Sequence, residues 1–168
     1  MTSPVNLSSI QAATIRIANY LHVTPVLSSQ TINTMSNKKL YFKAENLQKT
    51  GSFKARGALD ASLSLMDNYA DKPRLVTHSS GNHGMALAWA ARTLGFQCTV
   101  VLPEGTPKVK CRAIRSYGAE LIFCNQTPMD REVAVQRIIQ ERGGVLIPSS
   151  DHQDGISGQG TLGLELLE

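Results

Sequence analysis

The sequence predicts an α/β protein in which parallel strands are joined by helices. The main observation is a repeated strand, turn and helix pattern that runs from about residue 70 to residue 148. Such alternation is typical of parallel sheets that carry helices on both faces. A second observation is that one predicted helix follows Pro107 and stops at Gly118, the usual placement of these two residue types. Finally, 42% hydrophobic and 18% charged residues are typical of a globular chain rather than a disordered one.

The chain begins with a predicted amphipathic helix at residues 8–21. Apolar residues recur there at helical spacing, and Ser8 or Ser9 can cap the first turn. Pro25 ends the helical region, because proline cannot continue a helix and biases Thr24 toward extended geometry.

One strand and one further helix are predicted before residue 66. Residues 39–45 alternate in polarity as a strand does. Residues 52–66 return to helical spacing, with Ser52 available as the cap. These elements are too few to form a sheet of their own.

The alternating region reads as a complete small parallel-sheet subdomain. The pattern predicts strands at 74–79, 97–103, 119–124 and 145–149, and helices at 83–95, 107–118 and 130–144. After it, residues 155–168 predict a glycine-rich turn followed by a helix that is still running at the last residue.

Charge and cysteine content exclude several classes of protein. The net charge of +4 is spread along the chain, which favours small anionic ligands and does not predict nucleic-acid binding. No apolar run is long enough to cross a membrane, and no secretory signal is visible. Cys98, Cys111 and Cys124 are odd in number and lack metal-site spacing. We therefore expect buried thiols, no metal site in this chain and a cytoplasmic location.

The turn SSGNHG, residues 79–84, follows the first strand of the subdomain and enters a helix. Main-chain N–H groups at a helix N-terminus point outward and favour an anion, and glycines allow it to approach closely. The turn therefore predicts a site for a carboxylate or phosphate at the carboxyl edge of the sheet. The alternative is a plain strand-to-helix turn with a serine or asparagine cap.

Lys54 lies between Phe53 and Ala55, among small and apolar residues. Withdrawal from water lowers the pKa of a lysine amine in general and makes it a nucleophile, which can form a Schiff base with a carbonyl group. The alternative is a lysine in the first turn of a helix that points to water.

The stretches KTGSFKARGA, residues 49–58, and SSGNHG together resemble one family, the fold-type II pyridoxal-phosphate enzymes. Within it they are similar to the serine racemases and the threonine (serine) dehydratases. The resemblance also covers residues 22–27, 41–54, 100–124 and 158–167, so it extends over nearly the whole chain.

The resemblance implies that Lys54 carries pyridoxal 5'-phosphate as a Schiff base. Phe53 then flanks the cofactor, and Asn82 binds its phenolic oxygen. The substrate carboxylate is held by the residues Ser79, Ser80, Asn82 and His83. For His83 a plain hydrogen bond to the main chain is an equal alternative.

The resemblance also implies the reaction, which is racemisation of serine with elimination of water from serine or threonine as a side reaction. Lys54 serves one face of the substrate Cα and Ser80 the other. Ser80 favours a racemase, because many threonine dehydratases carry alanine there. Met85 departs from the glutamine expected in racemases.

Further partners follow from the same resemblance. Lys49, Thr50 and Tyr117 match positions that contact ATP at the dimer interface of eukaryotic serine racemases, with plain surface residues as the alternative. Mg²⁺, ATP and a homodimer are therefore expected of the complete form.

The implied fold is that of the tryptophan synthase β-like enzymes. Residues 1–69 are expected to begin a large domain, residues 70–148 to form the small one, and residues 149–168 to return to the large one. Members of the family continue for about as much chain again, with a glycine-rich phosphate loop and a metal site. We therefore expect this chain to be an N-terminal portion that is inactive alone.

Two alternatives remain open. In one, the chain is a non-catalytic truncated isoform or pseudo-enzyme that binds a complete homologue. In the other, the specificity is that of a threonine dehydratase or an aspartate racemase, since Ser149 and Ser150 suit an acidic substrate. A generic nucleotide-binding domain is disfavoured, because GxxxxGK[ST] does not occur and the single GxGxxG match, GQGTLG at residues 158–163, does not directly follow a predicted strand.

Overall fold

The computed structural model describes residues 5–167, which form helices, strands and short 3₁₀ turns. The helices are α1 (Leu7–Ile17), α2 (Gln30–Ser36), α3 (Lys54–Asn68), α4 (Asn82–Leu94), α5 (Lys108–Ser116), α6 (Pro128–Arg142) and α7 (Gln153–Leu167). The strands are β1 (Val26–Leu27), β2 (Phe42–Lys43), β3 (Leu75–His78), β4 (Cys98–Pro103), β5 (Glu120–Cys124) and β6 (Val145–Leu146). The 3₁₀ turns are Glu45–Leu47 and Lys49–Gly51.

The predicted parallel sheet is confirmed. Its strand order is β5-β4-β3-β6, and every neighbouring pair is parallel. Helices cover both faces, because successive strand residues point to opposite sides. Val100 on one face packs in a core with α4 and α5, whereas Val101 on the other face packs with Val135 and Ile138 of α6.

The caps predicted for the subdomain are largely those observed. Gly95 and Gly118 follow α4 and α5 with φ of +76° and +84°, the left-handed region that glycine adopts without strain. Helix α6 begins at Pro128, two residues earlier than predicted. The reason is a capping box, in which Thr127 accepts from the Asp130 N–H and Asp130 accepts in return from the Thr127 N–H.

The prediction for the first helix was wrong at both ends. Asn6, and not Ser8 or Ser9, caps α1 by accepting from the Ser9 N–H at 3.0 Å. The helix ends at Ile17, four residues before the predicted end. Beyond it the His22 N–H donates to the buried Gln48 side chain at 3.0 Å, a tertiary bond that draws the chain out of the helix.

The segment between residues 26 and 52 also differs from the prediction. Only Phe42–Lys43 of the predicted strand pairs, with Val26–Leu27 in an antiparallel ribbon. Helix α2 was not predicted, although Ser29 caps it. Ser52 does not cap α3; its hydroxyl is buried and has no hydrogen-bond partner in the part of the chain described.

The glycine-rich segment near the C-terminus is part of helix α7 and not a turn before it. Its glycines allow α7 to cross α3 closely. A Cβ atom at Gly158 would lie 2.7 Å from the Arg56 carbonyl oxygen, and one at Gly57 would overlap the Gly155 carbonyl oxygen. The close approach of two helices therefore explains residues that the sequence pattern assigned to a turn.

A buried charge cluster lies beside this crossing. Arg56 is 1% exposed, and its five N–H groups donate to Glu45, Glu165 and Thr161 at 2.6–3.1 Å. Lys43 also contacts Glu165 at 2.6 Å, so two positive and two negative side chains balance. Burial is the largest influence on the pKa of Glu45 and of Glu165 and acts to raise both. Hydrogen bonds from Arg56, joined by Thr24 at Glu45 and by Lys43 at Glu165, together with the nearby positive charge outweigh it and lower both pKa values.

Two further features of the fold concern its thiols and its helices. Burial raises the pKa of the Cys98 thiol to about 12, so it stays protonated and unreactive.

Among residues 5–167, none of the helices combines the length and the apolar character needed to cross a membrane.

We expect Arg56→Met to lower the free energy of unfolding by about 3–5 kcal/mol at pH 7, because it leaves Glu45 without its ionic partner and Glu165 with Lys43 alone. The paired carboxylates have lowered pKa values, so in the wild type their contribution is present above the unfolded pKa and is lost as the pH falls through the folded one. Without Arg56, burial would raise the pKa of Glu45 and oppose the effect of Lys43 on the pKa of Glu165. Urea unfolding should therefore show a difference between the proteins that shrinks as the pH approaches 4.

Arg137→Met is the matched control, because the Arg137 side chain is 66% exposed and, among residues 5–167, its ionic partner is Glu141 alone, at 3.9 Å. Its effect should stay below about 0.5 kcal/mol. Equal effects of the two substitutions would contradict the importance of the buried cluster.

Candidate active site

Lys54 lies at the start of α3 and is half-buried. Its ammonium group donates to the Ser149 carbonyl oxygen at 2.5 Å and lies 5.4 Å from the centre of the Phe53 ring. The side chain therefore does not simply point to water, and the Phe53 ring lies beside it.

The segment that follows β6 holds both Lys54 and His83. The His83 ring lies 3.0 Å from the Ile147 carbonyl oxygen through Nε2, and Lys54 binds the Ser149 carbonyl two residues later. Two side chains from different helices are thus fixed by one stretch of main chain. We call residues 147–152 the covering segment.

His83 is buried and carries no charge at neutral pH. Burial lowers its pKa to about 4, and the nearby positive charge of Lys54 acts in the same direction, while the bond to Ile147 opposes both. Since a carbonyl oxygen only accepts, Nε2 carries the proton, and Nδ1 is left as an acceptor. Of the two alternatives for this residue, the hydrogen bond to the main chain is the one observed.

The turn before α4 presents an open helix N-terminus. Within the described residues, Gly81 at the cap position makes no side-chain capping bond, and the Ser79 hydroxyl accepts only weakly from the Gly81 N–H at 3.3 Å. Apart from its chain neighbours, no described residue lies within 4 Å of a Cβ atom built on Gly81, whereas one on Gly84 would overlap the Ser79 carbonyl oxygen. The glycines therefore keep the turn tight and its outer side accessible, as an anion site requires.

The cavity beside Lys54 contains some of the expected site residues but not all. Lys54 and His83 line it together with Gly57 and the covering segment. Ser79, Ser80 and Asn82 are not among its lining residues; they lie in the adjoining turn, where Ser80 is half-buried and Asn82 is exposed. Met85 packs against the main core.

The three residues expected at a nucleotide site lie on two elements that both contact α4. Lys49 and Thr50 belong to a 3₁₀ turn, and Thr50 has a φ of +58°. Tyr117 follows α5 and packs partly buried against the core.

Sequence reasoning missed the most direct contacts of this site. The acceptors for Lys54 and His83 are main-chain carbonyl groups, which no residue type reveals. His152 was also missed: it lines the cavity, and its Nδ1 accepts from the Gly155 N–H at 3.2 Å at the start of α7. A histidine just before a helix could have signalled a cap.

The described residues fit a carbonyl cofactor that carries an anionic group. Lys54 supplies the amine, and the open N-terminus of α4 supplies N–H donors. The hydroxyl groups of Thr50 and Ser52, just before Lys54, are buried without a partner in the part of the chain described. Within the same residues, no group of three or more acidic, histidine or cysteine side chains is arranged to hold a metal ion.

Comparisons with known proteins agree with this fit. The chain is 48% identical over 164 residues to a serine racemase of Dictyostelium discoideum, covering 98% of this chain and 50% of that protein. A crystal structure of a pyridoxal 5'-phosphate-dependent aspartate racemase superposes with a TM-score of 0.95 at 45% identity, over 99% of this chain and 52% of that one. A threonine deaminase from T.th. superposes with a TM-score of 0.88 at 44% identity, over 96% and 51%.

The chain thus spans about half the length of the relatives it matches. The family model described as "Pyridoxal-phosphate dependent enzyme" matches residues 17–168. The resemblance inferred from the motifs is confirmed: the chain belongs to the fold-type II pyridoxal-phosphate-dependent enzymes and is similar to serine racemases and threonine deaminases.

Proposed function

We propose that this chain supplies the lysine and the carboxylate-binding turn of a pyridoxal-phosphate-dependent serine racemase. Dehydration of L-serine and L-threonine is the proposed side activity. The observation that carries the proposal is the position of Lys54, which is held by the Ser149 carbonyl in the same cavity as His83, next to the open turn of α4.

The cofactor, when bound, withdraws the negative charge that develops on the substrate Cα. We propose that Lys54 attaches the cofactor and then moves a proton at Cα. The Phe53 ring lies beside the amine and would limit its movement. Asn82 would donate a hydrogen bond from its exposed amide to the phenolic oxygen of the cofactor. The hydrogen bond from Lys54 to the Ser149 carbonyl oxygen supports this role, because a side chain that is already oriented loses less conformational entropy when it approaches the substrate.

Ser80 is proposed to move the proton on the Cα face that Lys54 does not serve. It is half-buried in the turn that precedes α4. Ser79, Ser80 and the N-terminal N–H groups of α4 are proposed to hold the substrate carboxylate, supported by the absence of a side-chain cap among the described residues there.

For the His83 imidazole we propose a positioning role, while the His83 main-chain N–H, in the first turn of α4, remains among the donors proposed for the carboxylate. The neutral imidazole donates its N–H to the Ile147 carbonyl, which leaves Nδ1 as an acceptor. An acceptor cannot form a hydrogen bond with a carboxylate oxygen. Its role is to hold the covering segment over Lys54.

Three finer assignments extend the proposal. ATP, bound as its Mg²⁺ complex, is proposed to contact Lys49, Thr50 and Tyr117, since both elements that carry them adjoin α4. A homodimer is proposed because that site lies at a dimer interface in the resembling racemases. A cytoplasmic location is supported by the free thiols, two of which are buried.

Aspartate is the second candidate substrate. Ser149, Ser150 and His152 line the cavity beside Lys54 and offer polar groups to a second carboxylate, although Asp151 lines the same cavity and would oppose it. An aspartate racemase is also among the proteins of very similar structure. Racemisation assays with serine and aspartate as competing substrates distinguish the two.

We expect Lys54→Arg to abolish attachment of the cofactor in a cofactor-loaded protein that contains this chain. Arginine keeps the charge and can still donate to the Ser149 carbonyl, but its guanidinium does not form the covalent bond. Borohydride reduction followed by peptide mapping should place the pyridoxyl group on Lys54 in the parent protein. Lys38→Arg, at an exposed lysine, should leave this result unchanged. A pyridoxyl group on another lysine would overturn the assignment.

We expect Ser80→Ala to lower the rate of serine racemisation by about 10²-fold or more, because one of the two proton-transfer groups is removed. Dehydration needs only the proton that Lys54 takes, so it should remain measurable. Both products are followed in one reaction, as D-serine and pyruvate. Equal loss of both, with cofactor still bound, would restrict Ser80 to carboxylate binding.

We expect His83 to remain neutral in the folded protein until the pH falls to about 4. The unfolded chain protonates it near pH 6.5, so its contribution to stability is complete above that value and declines as the pH falls toward 4. Its ring signals in a ¹H–¹⁵N spectrum should report Nε2–H throughout pH 5–8. A titration near pH 6.5 in the folded state would contradict the proposed positioning role.

A further inference from the structure

A second cavity lies between α5 and the edge strand β5, apart from the cavity beside Lys54. Its volume is about 440 Å³, within the range of small-molecule sites. It is lined by Thr106, Lys108, Cys111, Arg112, Arg115 and Phe123. None of these residues lines the Lys54 cavity, and none belongs to the proposed nucleotide site.

The cavity is strongly positive. Lys108, Arg112 and Arg115 follow one another at spacings of four and three residues, so they share one face of α5. All three are exposed, and in residues 5–167 none of them forms a salt bridge. Like charges at this spacing destabilise a helix. An anion bound between them would relieve that repulsion.

Arginines elsewhere on the same subdomain show the contrast. Arg74 and Arg142 both pair with Glu120 at the opposite end of β5, at 3.3 and 2.9 Å. Glu120 thus neutralises the arginines at that end of the strand, while the lining of the α5 cavity contains no acidic residue.

The main chain adds to the positive potential. Helix α5 begins at Lys108, and Pro107 at its cap position makes no side-chain capping bond in the described structure. The N-terminus of a helix carries a partial positive charge. A short turn, residues 104–107, joins this end of α5 to β4, so it lies at the carboxyl edge of the parallel sheet, where such folds bind ligands.

One wall of the cavity is aromatic. Phe123 lies on the edge strand and is 44% exposed, although it is flanked by the cations of α5. An exposed ring beside guanidinium groups can stack on a planar ligand group while the arginines bind its charge. Cys111, at the base, is buried.

We propose that this cavity binds a small aromatic anion. Arg112 and Arg115 bind its phosphate or carboxylate group, the N-terminus of α5 contributes N–H donors, and Phe123 contacts its ring. Three cations around 440 Å³ suit a single small molecule. Tyr117, at the other end of α5, packs against the core and leaves this site separate from the proposed nucleotide site.

The test is titration of the purified protein with phenyl phosphate, followed by ¹H–¹⁵N shifts and by calorimetry. We expect saturable binding, with shifts confined to α5 and β5. The double substitution Arg112→Gln with Arg115→Gln should weaken it by about tenfold or more, since two charge-assisted hydrogen bonds are lost. Lys110→Gln is the matched control, because Lys110 is an exposed cation of the same helix that does not line the cavity.

Phe123→Leu separates the two parts of the proposal. It should weaken binding of phenyl phosphate severalfold and leave inorganic phosphate unchanged. Benzoate distinguishes a carboxylate from a phosphate ligand. An equal effect of Lys110→Gln and of the double substitution would indicate general charge attraction and overturn the site. If Phe123→Leu left the affinity for phenyl phosphate unchanged, the proposed contact between Phe123 and the ligand ring would be overturned. Far-UV circular dichroism of each variant verifies that α5 remains folded.

Discussion

The position of Lys54 depends on how closely α3 and α7 approach each other. Gly57 and Gly158 meet at their crossing, and a Cβ atom on Gly57 would overlap the Gly155 carbonyl oxygen. Helix α7 follows directly from the covering segment, which supplies the Ser149 carbonyl to Lys54. A wider crossing would therefore move that acceptor away from the amine. The distance between α3 and α7 thus determines where the Lys54 amine lies relative to its acceptor.

The charge cluster around Arg56 determines which face of α7 meets α3. Glu165 must face Arg56 and Lys43 together, and Thr161, one turn earlier, must face Arg56 as well. A buried ion pair of this kind contributes less to net stability than its short distances suggest, because both charges lose their hydration. Its effect is selective: other rotations of α7 would leave buried charges without partners. The glycine contact sets the distance, and the charges set the rotation.

The sheet could be predicted from sequence because its signals are local. Strand polarity and the glycines after α4 and α5 each act within a few residues, and the parallel pairing follows from their alternation. The failures lie where distant residues decide the outcome. Gln48 limits α1, and the contact with α3 turns an apparent glycine-rich turn into α7. In the site, Lys54 and His83 could be recognised as separate motifs, whereas the main-chain acceptors that bring them together have no signature in residue type.

The two bonds that organise the site go to the carbonyl groups of Ile147 and Ser149, and not to their side chains. Every residue has a carbonyl group, so the side chains of the covering segment can drift over generations without loosening either bond. Those side chains also line the cavity. The side chains that line the cavity can therefore change while the position of Lys54 is maintained. The main-chain bonds thus make the site evolvable. Relatives of nearly the same fold carry the names of serine, aspartate and threonine enzymes. Such diversity is possible when the main chain positions the lysine and the side chains line the cavity.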